Sequence, residues 1–136
     1  MGSPAIHHVN IVMPVGGEAA ARTFYSELLG FDEIPKPTPM AGRGGVWFAA
    51  GTIDLHVGVD PDFRPARKAH VAYEVSDLDG LRRRVEAMGF PTRDDVPLPG
   101  YRRFHTEDPF GNRVELLEAE AVRREPPEPD ADDATA

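Results

Sequence analysis

The sequence predicts an α+β fold in which two βαβββ modules form an eight-stranded, mixed-sheet cup. The first observation behind this prediction is an internal repeat, because stretches 8–31 and 70–90 both begin with His-Val, continue as a strand and a helix, and end in Gly-Phe. The second observation is that three strand-like segments follow each Gly-Phe. One repeated plan of strand, helix and three strands therefore accounts for most of the chain.

The first module begins with the strand HVNIVMP and continues with a helix that carries an apolar stripe at helical spacing. The stripe consists of Ala21, Phe24, Tyr25, Leu28 and Leu29. Gly30 follows it at the position of a C-terminal cap. The segments FDEIP, VWFAA and TIDLHVGV then supply three strands, and the charged, turn-rich segment VDPDFRPARK connects the modules.

The second module repeats this order from AHVAYEV onward. Its helix carries the apolar stripe Leu78, Leu81, Val85 and Met88 before Gly89. Asp77 or Ser76 is expected to cap the N-terminus of this helix by accepting backbone N–H bonds. The segments FPTR, YRRFHT and NRVELLE complete the module as strands.

The length of 136 residues and the 40% hydrophobic content fit a single domain over residues 1–118, with module 1 at about 5–60 and module 2 at about 69–118. Residues 119–136 are predicted to form an acidic disordered tail. The body has no basic stripe, membrane span or signal peptide, so we expect a cytoplasmic protein that binds neither nucleic acid nor membranes. Because the chain has no cysteine, any metal must be held by nitrogen and oxygen ligands.

Side-chain alternation along four strands places a set of polar residues on one face of the sheet. In each strand the apolar residues share one face, and His8, His56, His70 or Glu115 lies on the other. One helix per module covers only one face, so these four residues are expected to line the concave, open face. His7 is expected to point the opposite way, toward the helices.

Three imidazoles and one carboxylate are a ligand set suited to Zn, Ni, Fe, Mn or Co. The positions match between the modules, because 25 residues separate Phe31 from His56 and 25 separate Phe90 from Glu115. The alternative is a buried network of histidine and glutamate hydrogen bonds without a metal. We interpret the matched positions as a divalent-metal site.

The segments HHVNIVMP, RTFYSELLGF, IDLHVGV, AHVAYEV and EDPFGNRVELLE resemble the vicinal oxygen chelate superfamily of glyoxalases, bleomycin-resistance proteins and extradiol dioxygenases. The similarity runs from about residue 5 to 118. Its most specific part is the ending that carries Asp108, Pro109, Gly111, Asn112, Glu115 and Leu116. The resemblance implies a glyoxalase-like fold and a homodimer, with modules that pair within the chain or across the dimer.

The resemblance also assigns the metal ligands to His8, His56, His70 and Glu115. It implies a divalent-metal enzyme that binds a small oxygenated substrate by chelation, of the lyase or isomerase type. One alternative is an Fe(II) extradiol dioxygenase that uses His8, His70 and Glu115 only. Another is a non-catalytic protein that sequesters a drug or metabolite.

Further side chains on the open face are candidates for catalysis and substrate binding. Glu115 and Glu74 are the candidate catalytic bases. Asn10, Trp47 and Arg113 are the candidate substrate-binding residues, the last for an anionic group. The sequence places His105 before the EDPFGN turn, which it is expected to cap, outside the site.

Overall fold

The computed structural model describes residues 2–120, and its first module has the predicted order of strand, helix and three strands. The helix α1 is α-helical at first and then winds more widely, as a π-helix. A 3₁₀ turn lies between the second and third strands. The elements are β1 (His8–Met13), α1 (Glu18–Ala21, continued as a π-helix over Arg22–Leu28), β2 (Asp32–Ile34), the 3₁₀ turn (Thr38–Arg43), β3 (Val46–Ala50) and β4 (Ile53–Val59).

The second module repeats the order, as predicted. Its elements are β5 (Val71–Glu74), α2 (Leu78–Ala87), β6 (Thr92–Arg93), β7 (Tyr101–Glu107) and β8 (Arg113–Ala119). Ala119, placed at the start of the predicted tail, is instead the last residue of β8. Residues 121–136 of that tail lie outside the described residues.

Each module forms one four-stranded mixed sheet. The strand orders are β1-β4-β3-β2 and β5-β8-β7-β6, so the two sheets have the same topology. In each sheet the first and last strands of the module pair in parallel, and the other pairs are antiparallel. The predicted α+β architecture of two βαβββ modules is therefore confirmed.

The helices end and begin where the sequence predicts, with one difference in the apolar stripes. Gly30 and Gly89 follow the two helices with positive φ angles of 86° and 89°, the conformation of a glycine C-cap. The side chain of Asp77 caps α2 by accepting a hydrogen bond from the backbone N–H of Gly80. Met88 does not belong to the buried stripe; it lies past the last turn of α2 and is 46% exposed.

The helices of residues 2–120 are too short or too polar to span a bilayer.

The π-helical part of α1 widens the turn that faces the core. The backbone N–H of Leu29 bonds to the carbonyl of Phe24, five residues earlier. Phe24 and Tyr25 are consecutive, yet both are fully buried. The wide turn thus lets two adjacent aromatic rings enter the core together.

One apolar core joins the two modules, because it contains side chains of both helices and both sheets. The rings of Phe24 and Phe90, from different modules, pack 5.1 Å apart. Polar contacts also cross between the modules, since the Tyr25 hydroxyl donates to Asp108 at 2.7 Å and the Asn112 amide donates to the Val12 carbonyl at 2.9 Å. The apolar faces of both sheets therefore point into a shared core, and their polar faces point away from it.

Candidate metal centre

The register of the first sheet places the predicted ligands of module 1 on its polar face. His8 lies opposite Asp54 on β4, and His56 lies between Asn10 on β1 and Trp47 on β3. Residues directly opposite one another share a face of the sheet. The alternation predicted from the sequence is therefore correct for His8 and His56, and it also brings Asn10 and Trp47 to their side.

The imidazole of His56 lies in a stack of three rings. It is parallel to the indole of Trp47 at a centroid distance of 3.6 Å, and it stacks on His8 at 4.3 Å. Burial and the neighbouring His8 lower the pKa of His56, so its ring is neutral near pH 7. Nε2 of His56 is buried and has no hydrogen-bond partner among residues 2–120. A neutral ring with an unpartnered nitrogen fits the chemistry of a metal ligand.

His7 differs from its predicted position. Strand β1 begins only at His8, so strict alternation does not extend to His7. Nδ1 of His7 lies 3.0 Å from Nδ1 of His8, and both rings line the same cavity. The prediction that His7 points toward the helices was therefore wrong: its backbone carbonyl still accepts a hydrogen bond from Asp54, but its ring turns to the side of His8.

The register of the second sheet gathers a cluster around the carboxylate of Glu115, which we call the Glu115 cluster. Glu115 is only 4% exposed and lies opposite Ala72 on β5 and His105 on β7. The cluster consists of His70, Arg103, His105, Arg113 and Glu115. Burial would raise the pKa of Glu115, but the contacts with His70 and Arg103 outweigh burial and hold the pKa below its usual value.

The hydrogen bonds of His70 fix which nitrogen faces Glu115. Nδ1 of His70 lies 2.9 Å from the carbonyl of Lys68, and a carbonyl only accepts, so Nδ1 carries the hydrogen. Nε2 lies 2.9 Å from Oε1 of Glu115. Nε2 therefore faces a carboxylate oxygen directly, and the two atoms are close enough to bind one cation together. A backbone carbonyl bonded to the other ring nitrogen is the usual support of a metal-binding histidine.

His105 is held in the opposite tautomer. The guanidinium of Arg113 donates to Nδ1 of His105 from Nη2 at 2.8 Å and from Nε at 3.3 Å, and it also pairs with Asp95 at 3.1 Å. Burial and Arg113 lower the pKa of His105, so the ring is neutral and its hydrogen lies on Nε2. Nε2 is 3.3 Å from Oε1 of Glu115, although the pair is too poorly aligned for a full hydrogen bond. His105 thus presents N–H, rather than a lone pair, to Glu115.

The prediction that His105 caps the EDPFGN turn was wrong. His105 lies inside β7, directly opposite Glu115, and its side chain is 1% exposed. Asp108 stabilises the turn instead, because its Oδ1 accepts hydrogen bonds from the backbone of Phe110 and Asn112, each at 2.9 Å. The strand register therefore brings His105 to Glu115.

The predicted ligands fall into two groups within the described chain. Ligand atoms of His70, His105 and Glu115 lie within 4.8 Å of one another. Because His105 presents N–H, the predicted ligands His70 and Glu115 are the two donors in this group that could hold a metal ion. His8 and His56 line a different cavity, of about 630 Å³, on the first sheet. The fold brings together the two ligands of each module, on the face that the sequence predicts.

The remaining predicted residues have different surroundings. Asn10 lines the cavity of His8 and also a second one, of about 310 Å³, which contains His70 and Arg113. Glu74 shares the polar face of β5 but lines another cavity, near Phe31. The guanidinium of Arg113 donates hydrogen bonds to Asp95 and to the ring of His105. The catalytic role of Glu74 and the substrate-binding roles of Asn10 and Arg113 stay predictions.

Sequence reasoning missed Arg103 and His105, and a signal for both was present. Phe104 is apolar, so alternation along YRRFHTE puts Arg103 and His105 on the polar face, and the structure places that face beside Glu115. Trp47 faces His56 as His105 faces Glu115, so the two positions correspond between the modules. Comparing the third strand of each module would have found His105.

Comparisons with known proteins agree with this architecture. Residues 5–116 match the family model described as the glyoxalase/bleomycin resistance protein/dioxygenase superfamily. A glyoxalase family protein of known structure from Bacillus anthracis is 41% identical, with a TM-score of 0.82 over 88% of this chain and 98% of that one. No significant match is found among curated proteins.

Two more distant structures share the fold. A fosfomycin resistance protein from Listeria monocytogenes, determined with Mn(II) and a dihydroxypropylphosphonic acid, is 16% identical, with a TM-score of 0.71 over 91% of this chain and 98% of that one. An antibiotic binding protein from a Streptomyces species is 22% identical, with a TM-score of 0.66 over 88% of this chain and 100% of that one. The match over residues 5–116 and the similarity to the Bacillus protein show that the chain belongs to the glyoxalase/bleomycin resistance protein/dioxygenase superfamily.

Proposed function

We propose that this protein is a divalent-metal-dependent enzyme that binds a small oxygenated substrate by chelation and acts as a lyase or isomerase. The observation that carries the proposal is the pair formed by His70 and Glu115. Nε2 of His70 and Oε1 of Glu115 face each other at 2.9 Å, while the other nitrogen of His70 donates to a backbone carbonyl. Two ligand atoms at this separation fit neighbouring positions around one ion with bonds of about 2.1 Å.

The proposed ligand set is His8, His56, His70 and Glu115. The unpartnered, buried Nε2 of His56 supports its inclusion, as does the neutral state of its ring. Nitrogen and oxygen donors without a thiolate favour Zn, Ni, Fe, Mn or Co. The metal-bound relative from Listeria, determined with Mn(II), is consistent with this range.

A divalent ion held by these residues would supply Lewis acidity that stabilises negative charge on chelated oxygens of the substrate. Glu115 is the residue best placed to hold or move a proton, and its pKa below the usual value keeps it ionised. Arg103 and His105 hold the carboxylate in place, since Nη1 of Arg103 donates to Oε2 at 3.2 Å. Trp47 forms an apolar wall, and Asn10 offers an amide to the substrate.

The proposed site also requires a second copy of the chain. The two sheets share one core and turn their polar faces away from it, so His8 and His56 line one cavity and His70 lines another. A homodimer with two-fold symmetry can set the polar face of one module 1 against that of the partner's module 2, twice. Each dimer would then hold two equivalent sites.

Metal removal and reloading test the proposed function. Protein stripped with a chelator and titrated with Mn(II), Co(II), Ni(II) or Zn(II) is expected to bind about one ion per chain, measured by calorimetry. Bound Co(II) is expected to show the weak visible absorption of a five- or six-coordinate site with nitrogen and oxygen ligands. Failure of every one of these ions to bind in stoichiometric amount would contradict the proposal, and ligand binding unaffected by the chelator would favour a sequestering protein.

A pair of variants tests whether the site lies between subunits. H8A and H70A each remove one ligand, one from each module, and each alone is expected to lose metal binding. In a heterodimer of the two, isolated through different affinity tags, a shared site leaves one position with all its ligands, so about one ion per dimer should bind. If each chain held its own complete site, both positions in the heterodimer would be damaged, and no recovery would be seen.

The stacking of His56 favours one second candidate, an Fe(II) extradiol dioxygenase. Nε2 of His56 is buried between Trp47 and His8, and if the stack keeps it from the ion, His8, His70 and Glu115 remain as two histidines and one carboxylate. That triad is typical of non-haem Fe(II) oxygenases. Oxygen uptake with a catechol, after anaerobic loading with Fe(II), separates this activity from that of a lyase or isomerase.

A further inference from the structure

Two cationic side chains line the cavity that contains His8, Trp47 and His56. Lys36 and Arg43 come from the segment between β2 and β3, which forms one rim of this cavity of about 630 Å³. The proposed metal ligands of module 1 and these two cations therefore share a single space. A substrate bound to the histidines would lie beside positive charge.

The charge of Arg43 is not balanced by a partner among the described residues of this cavity. Asp54 is the only acidic side chain among its lining residues within the described chain. The side chain of Arg43 makes no hydrogen bond or ion pair within residues 2–120, whereas the side chain of Arg22 pairs with Glu33 at 2.9 Å. Lys36 donates to the backbone carbonyl of Gly44 and also interacts electrostatically with the carboxylate of Glu18. An unpaired guanidinium beside a cavity is free to bind an anion.

The geometry of the rim places Arg43 on the cavity side. Thr38–Arg43 is a 3₁₀ turn, in which side chains three residues apart lie above one another. Met40 and Arg43 have this spacing, and both line the cavity. The turn thus presents an apolar and a cationic side chain in the same direction.

The end of the rim is fixed to the body of the protein just after Arg43. The backbone N–H of Gly45 donates to the carboxylate of Glu18 at 2.8 Å, and this bond is the main cause of the lowered pKa of Glu18. Gly45 has a φ of 92°, and a Cβ there would lie 2.6 Å from the carbonyl oxygen of Val57, so only glycine fits. Arg43 is therefore two residues from a rigid anchor.

We propose that Lys36 and Arg43 form an anion subsite of the metal-binding cavity, so that the substrate carries a carboxylate or phosphonate group in addition to its chelating oxygens. The planar guanidinium of Arg43 offers two parallel N–H donors to such a group, and Lys36 adds a point charge. Trp47 and Met40 cover the carbon chain between the two ends. This inference rests on the proposed function, because the other end of the substrate is held by the metal.

Paired chelating probes test the inference by calorimetry on Mn(II)-loaded protein. Butyrohydroxamate and succinate monohydroxamate have the same metal-binding group and similar length, but only the second ends in a carboxylate. The wild-type protein is expected to bind the carboxylate probe about tenfold more tightly. A third probe that ends in a phosphonate tells which of the two anions the subsite prefers.

Variants assign any preference to the rim. R43Q and K36Q are expected to lose most of the preference for the charged probes and to keep the affinity for butyrohydroxamate. R83Q, which removes an exposed arginine on α2, serves as the matched control and should behave like the wild type. Equal affinity of the wild type for all probes would overturn the anion subsite alone. Failure of even butyrohydroxamate to bind would instead overturn the chelating metal site on which the inference rests.

Discussion

Replacing Glu115 with glutamine is expected to weaken binding of a divalent ion by at least about 100-fold, which corresponds to about 3 kcal/mol. The amide is similar in size to the carboxylate but has no charge to offer the ion or to pair with Arg103. Glu115 contributes the only carboxylate of the proposed ligand set, so no other group compensates. Calorimetric titration of metal-stripped protein with Mn(II) measures the loss, and circular dichroism checks that the fold is kept.

Two further variants show whether the loss is specific to the site. E118Q changes a glutamate on the same strand whose carboxylate caps Leu78 of α2, and it should leave metal affinity unchanged. H105F removes an N–H beside Glu115 and is expected to cost about tenfold, because it loosens a ligand without removing one. A loss in H105F as large as that in E115Q would show that His105 is itself a ligand, contrary to its tautomer here.

Replacing Asp108 with alanine is expected to destabilise the protein by about 3 to 5 kcal/mol, the largest effect on folding that we predict. Asp108 is 3% exposed, and its two oxygens accept four hydrogen bonds. They hold the turn before β8 and bind the hydroxyl of Tyr25 in the other module. Alanine would leave the buried hydroxyl of Tyr25 and the amide of Asn112 without this partner.

The matched variant Y25F removes only one of these bonds and is expected to cost about 1 kcal/mol. Urea denaturation of metal-free protein measures both effects without a contribution from metal binding. Equal destabilisation by the two variants would show that the backbone of the turn does not depend on Asp108. The comparison therefore separates the local role of Asp108 from its contact with α1.

Local sequence patterns predict the strands, the caps and the faces correctly. Alternation along β4 and β8 places His56 and Glu115 on the polar faces because a side-chain period of two is a property of any extended strand. Gly30, Gly89 and Asp77 end or begin helices because their backbone and side-chain chemistry suits those positions. The same rules fail at the ends of elements, because Met88 has left the helical backbone angles, with φ −86° and ψ 3°, and His7 precedes the first residue of β1.

The contacts around Glu115 depend on strand register, which local patterns do not specify. Arg103 and His105 are neighbours of Glu115 only because β7 pairs with β8 in one register. The hydrogen on His105 is assigned by Arg113, and the hydrogen on His70 by a backbone carbonyl. A tautomer is set by atoms that approach from other segments, so the sequence predicts a histidine near the site but not its role.

The repeated βαβββ plan and the face on which His8, His56, His70 and Glu115 lie can be read from the sequence, since both follow from the periods of helices and strands. The shared core of the two modules, with polar faces directed away from it, depends on the packing of the folded chain. The reason is that packing of the two helices against both sheets involves residues far apart in the chain. For the same reason, the histidine neighbours of Glu115 acquire their different tautomers only in the folded protein.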